Sequence, residues 1–260
     1  METLRKKKWR TRGLAAMLVL LMAAGLWRYV QEYVSISNNV NGREMPICSV
    51  ETQEKKVALT FDVSWGNKDI HKILDILEIY QARASFFVTG MWAEKYPQEV
   101  KAIQDKGHDL GNHSEDHKNM KGLSLEEKDL EIQKAHQRIE KLTGIQMDLF
   151  RPPYGDYDDE VILRAKEQGY DTVLWNVDSM DWKDYGKDQI VNTVLRHKEL
   201  TNGSIIRFHC GTKYTAEALG EVIQGLQEQG YEITPLSGLI YREEYHMDVK
   251  GRQIRNRQTF

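Results

Sequence analysis

From Lys56 onward, short apolar runs alternate with longer amphipathic stretches. The apolar runs predict seven β-strands, at Val57–Phe61, Ala84–Val88, His108–Gly111, Leu149–Phe150, Thr172–Val177, Ser204–Phe208 and Tyr231–Pro235. The stretches between them predict helices over residues 68–80, 97–106, 124–142, 158–168, 187–199 and 215–229. Gly107, Gly169 and Gly230 each follow a predicted helix, where a left-handed residue commonly ends it. This alternation predicts a parallel α/β sheet, either closed or open.

Residues 1–30 have the layout of an export signal. Six Lys and Arg residues precede the uncharged run from Gly13 to Trp27, as in the basic and apolar regions of a secretory signal. This run is shorter than the roughly 20 residues that span a bilayer, and Ala23-Ala24-Gly25 is an imperfect cleavage site. We expect a retained signal-anchor, with a cleaved signal peptide as the alternative. In both cases the rest of the chain faces outward.

The remaining residues divide into a spacer at 31–50, a domain at 51–240 and a polar tail at 241–260. Of 36 Lys and Arg and 39 Asp and Glu, seven basic residues and one acidic residue lie in the first 30. The rest is therefore acidic, and we expect no nucleic-acid partner because phosphate backbones are repelled. Cys48 and Cys210 are too few for a disulfide framework, so they form one bridge or two free thiols.

Five of the predicted strands end in polar, reactive side chains. The carboxyl ends of parallel strands meet at one rim of the fold, which is where active sites lie. The residues at this rim are Asp62, the pair His113 and His117, Arg151, the pair Asp178 and Asp181, and His209. Because the two histidines are four apart, a helical turn would point both imidazoles the same way, as a metal-ligand pair requires.

Each of these residues also has a simpler interpretation when taken alone. The simpler interpretations are a helix cap for Asp62, Asp178 or Asp181, a surface loop for the histidine pair, an ion pair for Arg151 and a core position for His209. Cys210 could be read as a nucleophile, although no nucleophile signature surrounds it. The agreement of all five strand ends is what favours an active site.

The same strand ends resemble the five motifs of the NodB-type polysaccharide deacetylases, carbohydrate esterase family four. The matching segments are Thr60–Asp62, His113–His117, Arg151–Gly155, Asp178–Trp182 and Ile206–His209. The resemblance covers about residues 51–240, and it is specific because five motifs agree in sequence and order. The segment Phe61–Gly66 further resembles a membrane-anchored, sporulation-associated subgroup from spore-forming Gram-positive bacteria. The resemblance implies a distorted barrel of about seven β/α units, on the outer face of the cell membrane.

The resemblance also implies a hydrolase that removes N-acetyl groups from a glycan such as peptidoglycan or a chitin-like oligomer. The roles that it implies are a divalent metal, zinc or similar, on His113 and His117, a general base at Asp62 oriented by Arg151, and a general acid at His209. Asp178, or less favourably Asp181, would keep His209 protonated and oriented. Tyr154, Trp182 and Asp181 would contact the substrate, with the backbone N–H near Tyr154 assisting the oxyanion and Trp182 forming a wall of the acetyl pocket.

Two residues depart from the family pattern. Val63 stands where the family usually has a second aspartate, the third metal ligand, and valine cannot coordinate a metal. Asn67 or Asp116 could substitute, or Asp62 could move into the coordination sphere. The second departure is Arg207, which strand alternation predicts to face outward.

Val63 leaves three functions open. The leading one is an active, metal-dependent glycan N-deacetylase, because Asp62, Arg151, Asp178 and His209 supply an acid and a base that a pure binder has no need of. The second is a non-catalytic glycan-binding or scaffold protein that kept the groove and lost the metal. The third is another metal-assisted hydrolase of amides or esters on the same barrel, since fold alone does not determine the substrate. The oligomeric state is not predicted.

Overall fold

The computed structural model describes residues 17–23, 25 and 36–256. Residues 17–23 and 25 are helical. Across these described ranges, none of the helices combines the length and the apolar character that crossing a bilayer requires. The signal or anchor predicted at 1–30 lies mostly outside the described residues and stays a prediction.

The described residues contain a large mixed sheet and a small hairpin. The strands are β1 Ile36–Ser37, β2 Asn39–Val40, β3 Arg43–Glu44, β4 Ser49–Val50, β5 Lys56–Val63, β6 Ser85–Val88, β7 Asp109–Asn112, β8 Leu149–Phe150, β9 Asp171–Thr172, β10 Val177–Asp178, β11 Ser204–His209, β12 Glu232–Ile233, β13 Tyr245–Met247 and β14 Arg252–Arg255. All seven predicted strands are present, although the run at 172–177 splits into β9 and β10. Strands β2 and β3 form the separate hairpin.

The sheet is parallel where it carries the predicted motifs. Strands β11, β5, β6, β7, β8 and β9 lie side by side in that order, all parallel. The sheet curls, because Ile47 forms a bridge with Val173 just after β9 while Ser49 pairs with Ser204 on β11. Residues 47–50 therefore connect the two sides of the curled sheet, and the predicted α/β class is confirmed.

The predicted spacer and tail are wrong for the residues that are described. Strands β1 and β4 come from residues 31–50, and β13 and β14 come from residues 241–260. β14 pairs with both β4 and β13, and β13 pairs with β1, so these segments extend the main sheet. Strands of two to four residues are too short to show a hydrophobic period, which is why the sequence pattern missed them.

Seven helices cover the outer face of the sheet in the part of the chain from 36 to 256. They are α1 Ile70–Ile79, α2 Gly90–Lys95, α3 Pro97–Asp105, α4 Leu125–Thr143, α5 Asp159–Glu167, α6 Lys187–Leu195 and α7 Thr215–Glu228. Helix α4 begins at a capping box between Ser124 and Glu127 and ends at Gly144, which has a φ of 72°. All six predicted helices are confirmed, and the short α2 was not predicted.

Strand β5 shows how the fold positions the site. Its residues Phe61 and Val63 pack into the outer core between sheet and helices, whereas Ala58 packs into a second apolar core inside the curl. Thr60 and Asp62 share the inner face with Ala58 because side chains alternate along a strand. The interior is therefore apolar at the amino ends of the strands and polar at their carboxyl ends.

Candidate active site

Asp62 and His209 lie opposite each other on neighbouring strands at the polar end of the interior. Asp62 on β5 is in register with His209, the last residue of β11. The distance from Asp62 Oδ2 to His209 Nε2 is 3.8 Å. The two groups that the sequence predicts as base and acid therefore face one another across a short gap.

Arg151 holds Asp62 in place. Its side chain is fully buried, and its Nη1 donates hydrogen bonds to Asp62 Oδ1 at 2.8 Å and to Thr60 Oγ1 at 2.9 Å. The other guanidinium nitrogens donate to the carbonyls of Val173 and Leu174. Burial by itself would raise the pKa of Asp62, but the charge of Arg151, helped by His113 and His209, outweighs it and holds the pKa well below its usual range. Asp62 is therefore ionised at neutral pH.

His113 and His117 lie together, as predicted, in the loop after β7. Their ring centroids are 4.9 Å apart. His113 Nδ1 lies 2.7 Å from the Arg151 carbonyl oxygen, which can only accept, so Nδ1 carries the hydrogen and Nε2 has a free lone pair. Burial lowers the pKa of His113 to about 4 and also lowers the pKa of His117. Both imidazoles are therefore neutral at neutral pH, the form that binds metals.

The partner of His209 is Asp181, and the expected pairing with Asp178 is wrong. Asp181 is fully buried, and its Oδ1 lies 2.7 Å from His209 Nδ1. Its Oδ2 accepts hydrogen bonds from the backbone N–H of His209 at 2.7 Å and from the hydroxyl of Thr215 at 2.5 Å. Since a carboxylate only accepts, Nδ1 carries the hydrogen and Nε2 faces the gap to Asp62.

Asp178 instead pairs with Arg207. Arg207 Nη2 lies 2.5 Å from Asp178 Oδ2, and the guanidinium carbon lies 3.6 Å from the centre of the Trp175 ring. Alternation does place Arg207 opposite Ile206 and Phe208, but that opposite face is the interior of the curled sheet and Arg207 is buried. The expectation that Arg207 faces outward is therefore wrong.

Aromatic side chains form the walls above these groups. A cleft of about 510 Å³ is lined by Asp62, Trp65, His117, Tyr154, Trp182, Arg207, His209 and Thr212. Tyr154 and Trp182 were predicted as substrate contacts, and both are more than half exposed at this cleft. Trp65 and Thr212 were not predicted as site residues. The tryptophan three residues after Asp62 was a usable signal, because an exposed aromatic beside a polar strand end is suited to binding a sugar ring.

The donors present fit a metal site with two protein ligands. The favourable observation is that His113 Nε2 is buried without a hydrogen-bond partner. Among the described residues, however, no group of three or more His, Cys, Asp or Glu side chains could hold a metal ion. Val63 is fully buried in the outer apolar core, so neither its chemistry nor its position replaces the absent carboxylate. The pair is one ligand short of the usual catalytic zinc site.

The alternative third ligands have other partners. Asn67 donates a hydrogen bond from Nδ2 to Glu99 at 2.5 Å. Asp116 lies 2.9 Å from the ammonium of Lys118 and lines a separate groove beside α4. Asp62 is already held by Arg151. The structure therefore favours none of the three substitutes.

The two cysteines are free thiols. Burial raises the pKa of Cys48 to about 12, and burial beside Asp69 and Asp181 raises the pKa of Cys210 well above its usual value. Both stay protonated at neutral pH, and a protonated thiol is a poor nucleophile. The reading of Cys210 as a nucleophile is therefore unsupported.

Comparison with known proteins agrees with this geometry. The sequence profile of the polysaccharide deacetylase family matches residues 49–173. Over 200 residues the chain is 33% identical to the peptidoglycan-N-acetylmuramic acid deacetylase PdaA of Bacillus subtilis, with 75% of each chain covered. A peptidoglycan-N-acetylglucosamine deacetylase of Bacillus cereus is 35% identical over 196 residues, covering 74% of this chain and 91% of the relative.

One similar solved structure is a pseudoenzyme. BA3943 of Bacillus anthracis, described as a pseudoenzyme of carbohydrate esterase family 4, superposes with a TM-score of 0.72 and 34% identity, covering 80% of this chain and 70% of that one. A mutant of it is described as having restored enzymatic activity. The chain belongs to the polysaccharide deacetylase family, whose activity is hydrolysis of amide bonds in acetylated glycans. The family resemblance is confirmed, and similarity extends to both active and inactive relatives.

Proposed function

We propose that this chain removes N-acetyl groups from a cell-wall glycan of the peptidoglycan type, releasing acetate and a free amine. The observation that carries the proposal is that Asp62 and His209 face each other, with 3.8 Å between carboxylate and imidazole. Arg151 holds Asp62, and Asp181 holds His209. An acid and a base fixed by separate buried partners on opposite sides of one gap suit amide hydrolysis, which needs both.

Asp62 acts on the attacking water. Its carboxylate is ionised and is held by the Arg151 guanidinium at 2.8 Å, so it can accept a proton without rotating away. As the water oxygen bonds to the carbonyl carbon, its proton passes to Asp62. The carbonyl oxygen then carries negative charge.

His209 acts on the leaving nitrogen. Its Nδ1–H donates to Asp181, so the proton that it transfers is held on Nε2, the atom facing the cleft. Asp181 stabilises the imidazolium form because it is a fully buried carboxylate in direct contact with the ring. When the C–N bond breaks, Nε2 gives its proton to the amine, and acetate remains.

The histidine pair and the aromatic walls serve the carbonyl side of the substrate. His113 and His117 would hold a divalent ion, which would supply Lewis-acid chemistry to the carbonyl side of the reaction. Trp65, Tyr154 and Trp182 offer exposed rings for the sugar and the acetyl methyl group.

The test is acetate release by the full chain from N-acetylated peptidoglycan fragments and chitin-type oligomers, with and without Zn²⁺, Co²⁺ or Mn²⁺. We expect release that needs added metal and that is lost in Asp62→Asn and in His209→Ala. Loss of turnover with retained glycan affinity in His209→Ala supports an acid role, and equal losses in both contradict it.

A second function, glycan binding without catalysis, is favoured by Val63. A valine buried in the apolar core cannot complete the metal site, and the similar BA3943 is a pseudoenzyme. Tight glycan binding with no acetate release under any metal supports this second function.

We further propose that the domain is anchored to the outer face of the cell membrane, and that it acts in sporulation. The support is the basic, then apolar, run before Trp27 and the likeness of Phe61–Gly66 to the sporulation-associated subgroup. Expression in a spore-forming host tests both points. Retention in alkali-washed membranes, digestion by external protease and expression only after sporulation begins are the expected results, and soluble protein inside growing cells contradicts them.

A further inference from the structure

The loop that carries both candidate metal ligands has a constrained backbone. Ser114 has a φ of 67° and His117 a φ of 56°, so two non-glycine residues of one five-residue motif are left-handed. Such residues keep this conformation only where their surroundings hold it. The N–H of His117 donates to Ser114 Oγ, which is a bond within the loop itself and cannot anchor it to the rest of the fold.

Glu131 on α4 supplies an anchor from outside the loop. Its side chain is 4% exposed, and its Oε2 accepts hydrogen bonds from the backbone N–H groups of Glu115 at 3.1 Å and Asp116 at 2.9 Å. Its Oε1 accepts from the ammonium of Lys118 at 2.6 Å. One buried carboxylate therefore binds Glu115 and Asp116, just before His117, and Lys118, just after it. Hydrogen bonds that donate to a carboxylate are stronger than those that donate to a neutral oxygen.

The same helix holds the loop at two further points. The carbonyl of Ile132 accepts a hydrogen bond from Asn112, whose own Oδ1 accepts from the N–H of Ser114. Arg138 lies 2.6 Å from Glu115. Helix α4 thus provides a rigid surface, and Glu131 is the member that contacts the His117 half of the loop.

We propose that Glu131 is a positioning residue that fixes the backbone at Glu115 and Asp116, and through it the place of the His117 imidazole relative to His113. This inference rests on the proposed function in taking the histidine pair as the metal site. It does not require the enzyme to be active, because it concerns the metal-free conformation of the loop. The sequence alone gives no sign of it, since Glu131 lies outside the five motifs in an ordinary amphipathic helix.

The chain offers matched variants for a test. Glu131→Gln keeps the size of the side chain but removes its charge and replaces one acceptor oxygen with a donor. Glu126→Gln removes the same charge from an exposed position on the same helix. Lys118→Met leaves the backbone contacts of Glu131 in place and removes the ion pairs of Lys118 with Glu131 and Asp116, which are half exposed on the lysine side and so contribute little. Glu131→Asp keeps the charge but shortens the reach.

Two measurements on the full chain separate the inference from the proposed function. The first is amide hydrogen exchange at Glu115, Asp116 and His117 in the metal-free chain, together with the His117 ring resonance. The second is the dissociation constant for Zn²⁺, from competition with a chelating dye. We expect faster exchange confined to these three amides and Zn²⁺ binding weakened about 10–100-fold in Glu131→Gln, the usual cost of losing a supporting contact behind a metal ligand. Glu126→Gln and Lys118→Met should stay near wild type.

The outcomes are distinct. If wild type binds no Zn²⁺, the metal part of the proposed function fails, while local exchange and a shifted His117 resonance in Glu131→Gln still support the positioning role. The positioning role is overturned if Glu131→Gln shows the same amide exchange and the same His117 resonance as Glu126→Gln. It is also overturned if exchange in Glu131→Gln is uniformly faster along all of α4, because a merely structural role predicts that result. If Glu131→Gln does not fold, Glu131→Asp gives the same comparison.

Discussion

Replacement of Asp181 by Asn should reduce kcat far more than replacement of Asp178. Asp181 is fully buried and accepts three hydrogen bonds, two from His209 and one from Thr215. An asparagine offers one acceptor oxygen, so at least one donor from His209 or Thr215 then faces an amide NH₂ group. His209 also loses the negative charge that stabilises its protonated form.

The size of the effect follows from the bond that is lost. A hydrogen bond to a charged group contributes about 1.5–3 kcal/mol, and each 1.36 kcal/mol added to the barrier is a factor of about ten in rate. If the lost bond is the one that supports the imidazolium in the transition state, kcat should fall about 10- to 150-fold. KM should change little, because Asp181 does not line the cleft.

The assay is steady-state acetate release with saturating divalent metal, for wild type, Asp181→Asn and Asp178→Asn. The second variant is the matched control, because it removes the same charge from the same strand end but touches Arg207 rather than His209. Unfolding midpoints for all three proteins show whether a loss of rate is a loss of fold. The reasoning is refuted if Asp178→Asn loses as much kcat as Asp181→Asn, or if only KM responds.

Three further changes test other parts of the structure. Val63→Asp should lower the free energy of unfolding by about 3–5 kcal/mol without metal, which is the cost of an unpaired buried charge. Zn²⁺ should restore the stability if the new carboxylate reaches the histidine pair. Thermal unfolding that shows no recovery in Zn²⁺ places the third ligand elsewhere. Burial lowers the pKa of His108 to about 4, below the unfolded value of about 6.5, so the unfolded chain binds the extra proton and stability should fall by up to about 3 kcal/mol from pH 6.5 to pH 4. His108→Asn keeps an acceptor for the Ala84 N–H and should reduce this dependence in urea titrations, with the remainder due to His113, whose pKa burial also lowers to about 4; an unchanged slope contradicts the assignment. Arg151→Lys keeps the charge but not the planar guanidinium that binds Asp62 and two carbonyls. The free energy of unfolding should therefore fall by about 2–3 kcal/mol, and most of the activity should be lost. Wild-type denaturation and acetate release exclude the holding role of Arg151.

The parts of the fold that the sequence predicts most clearly are the long strands and the helices; the two-residue strands β8, β9, β10 and β12 were predicted from their place in the alternation with helices. Strands β5 and β11 have eight and six residues, and their buried runs are evident in the sequence. Strands β1, β4, β13 and β14 have two to four residues. Apart from the hairpin between β13 and β14, they pair with segments about 150 to 200 positions away, so no local pattern indicates them. Their formation depends on tertiary pairing rather than on propensity.

The errors at the site have a similar cause. Alternation correctly separates Arg207 from its neighbours Ile206 and Phe208, but it cannot show that the second face of the strand is an enclosed interior. Asp178 ends β10 and Asp181 follows three residues later, and their order in sequence does not reveal which one reaches His209. Met180, with a φ of 56°, turns the chain between them and places Asp181 beneath the imidazole.

The extension of the sheet by β13 and β14 has a consequence for biosynthesis. Residues 252 and 253 pair with β4, yet they leave the ribosome about 200 residues after it. Until they emerge, β4 lacks its β14 neighbour and one edge of the nascent domain stays unpaired. Such long-range pairing slows folding, which is compatible with the export proposed above, since a translocon passes an unfolded chain.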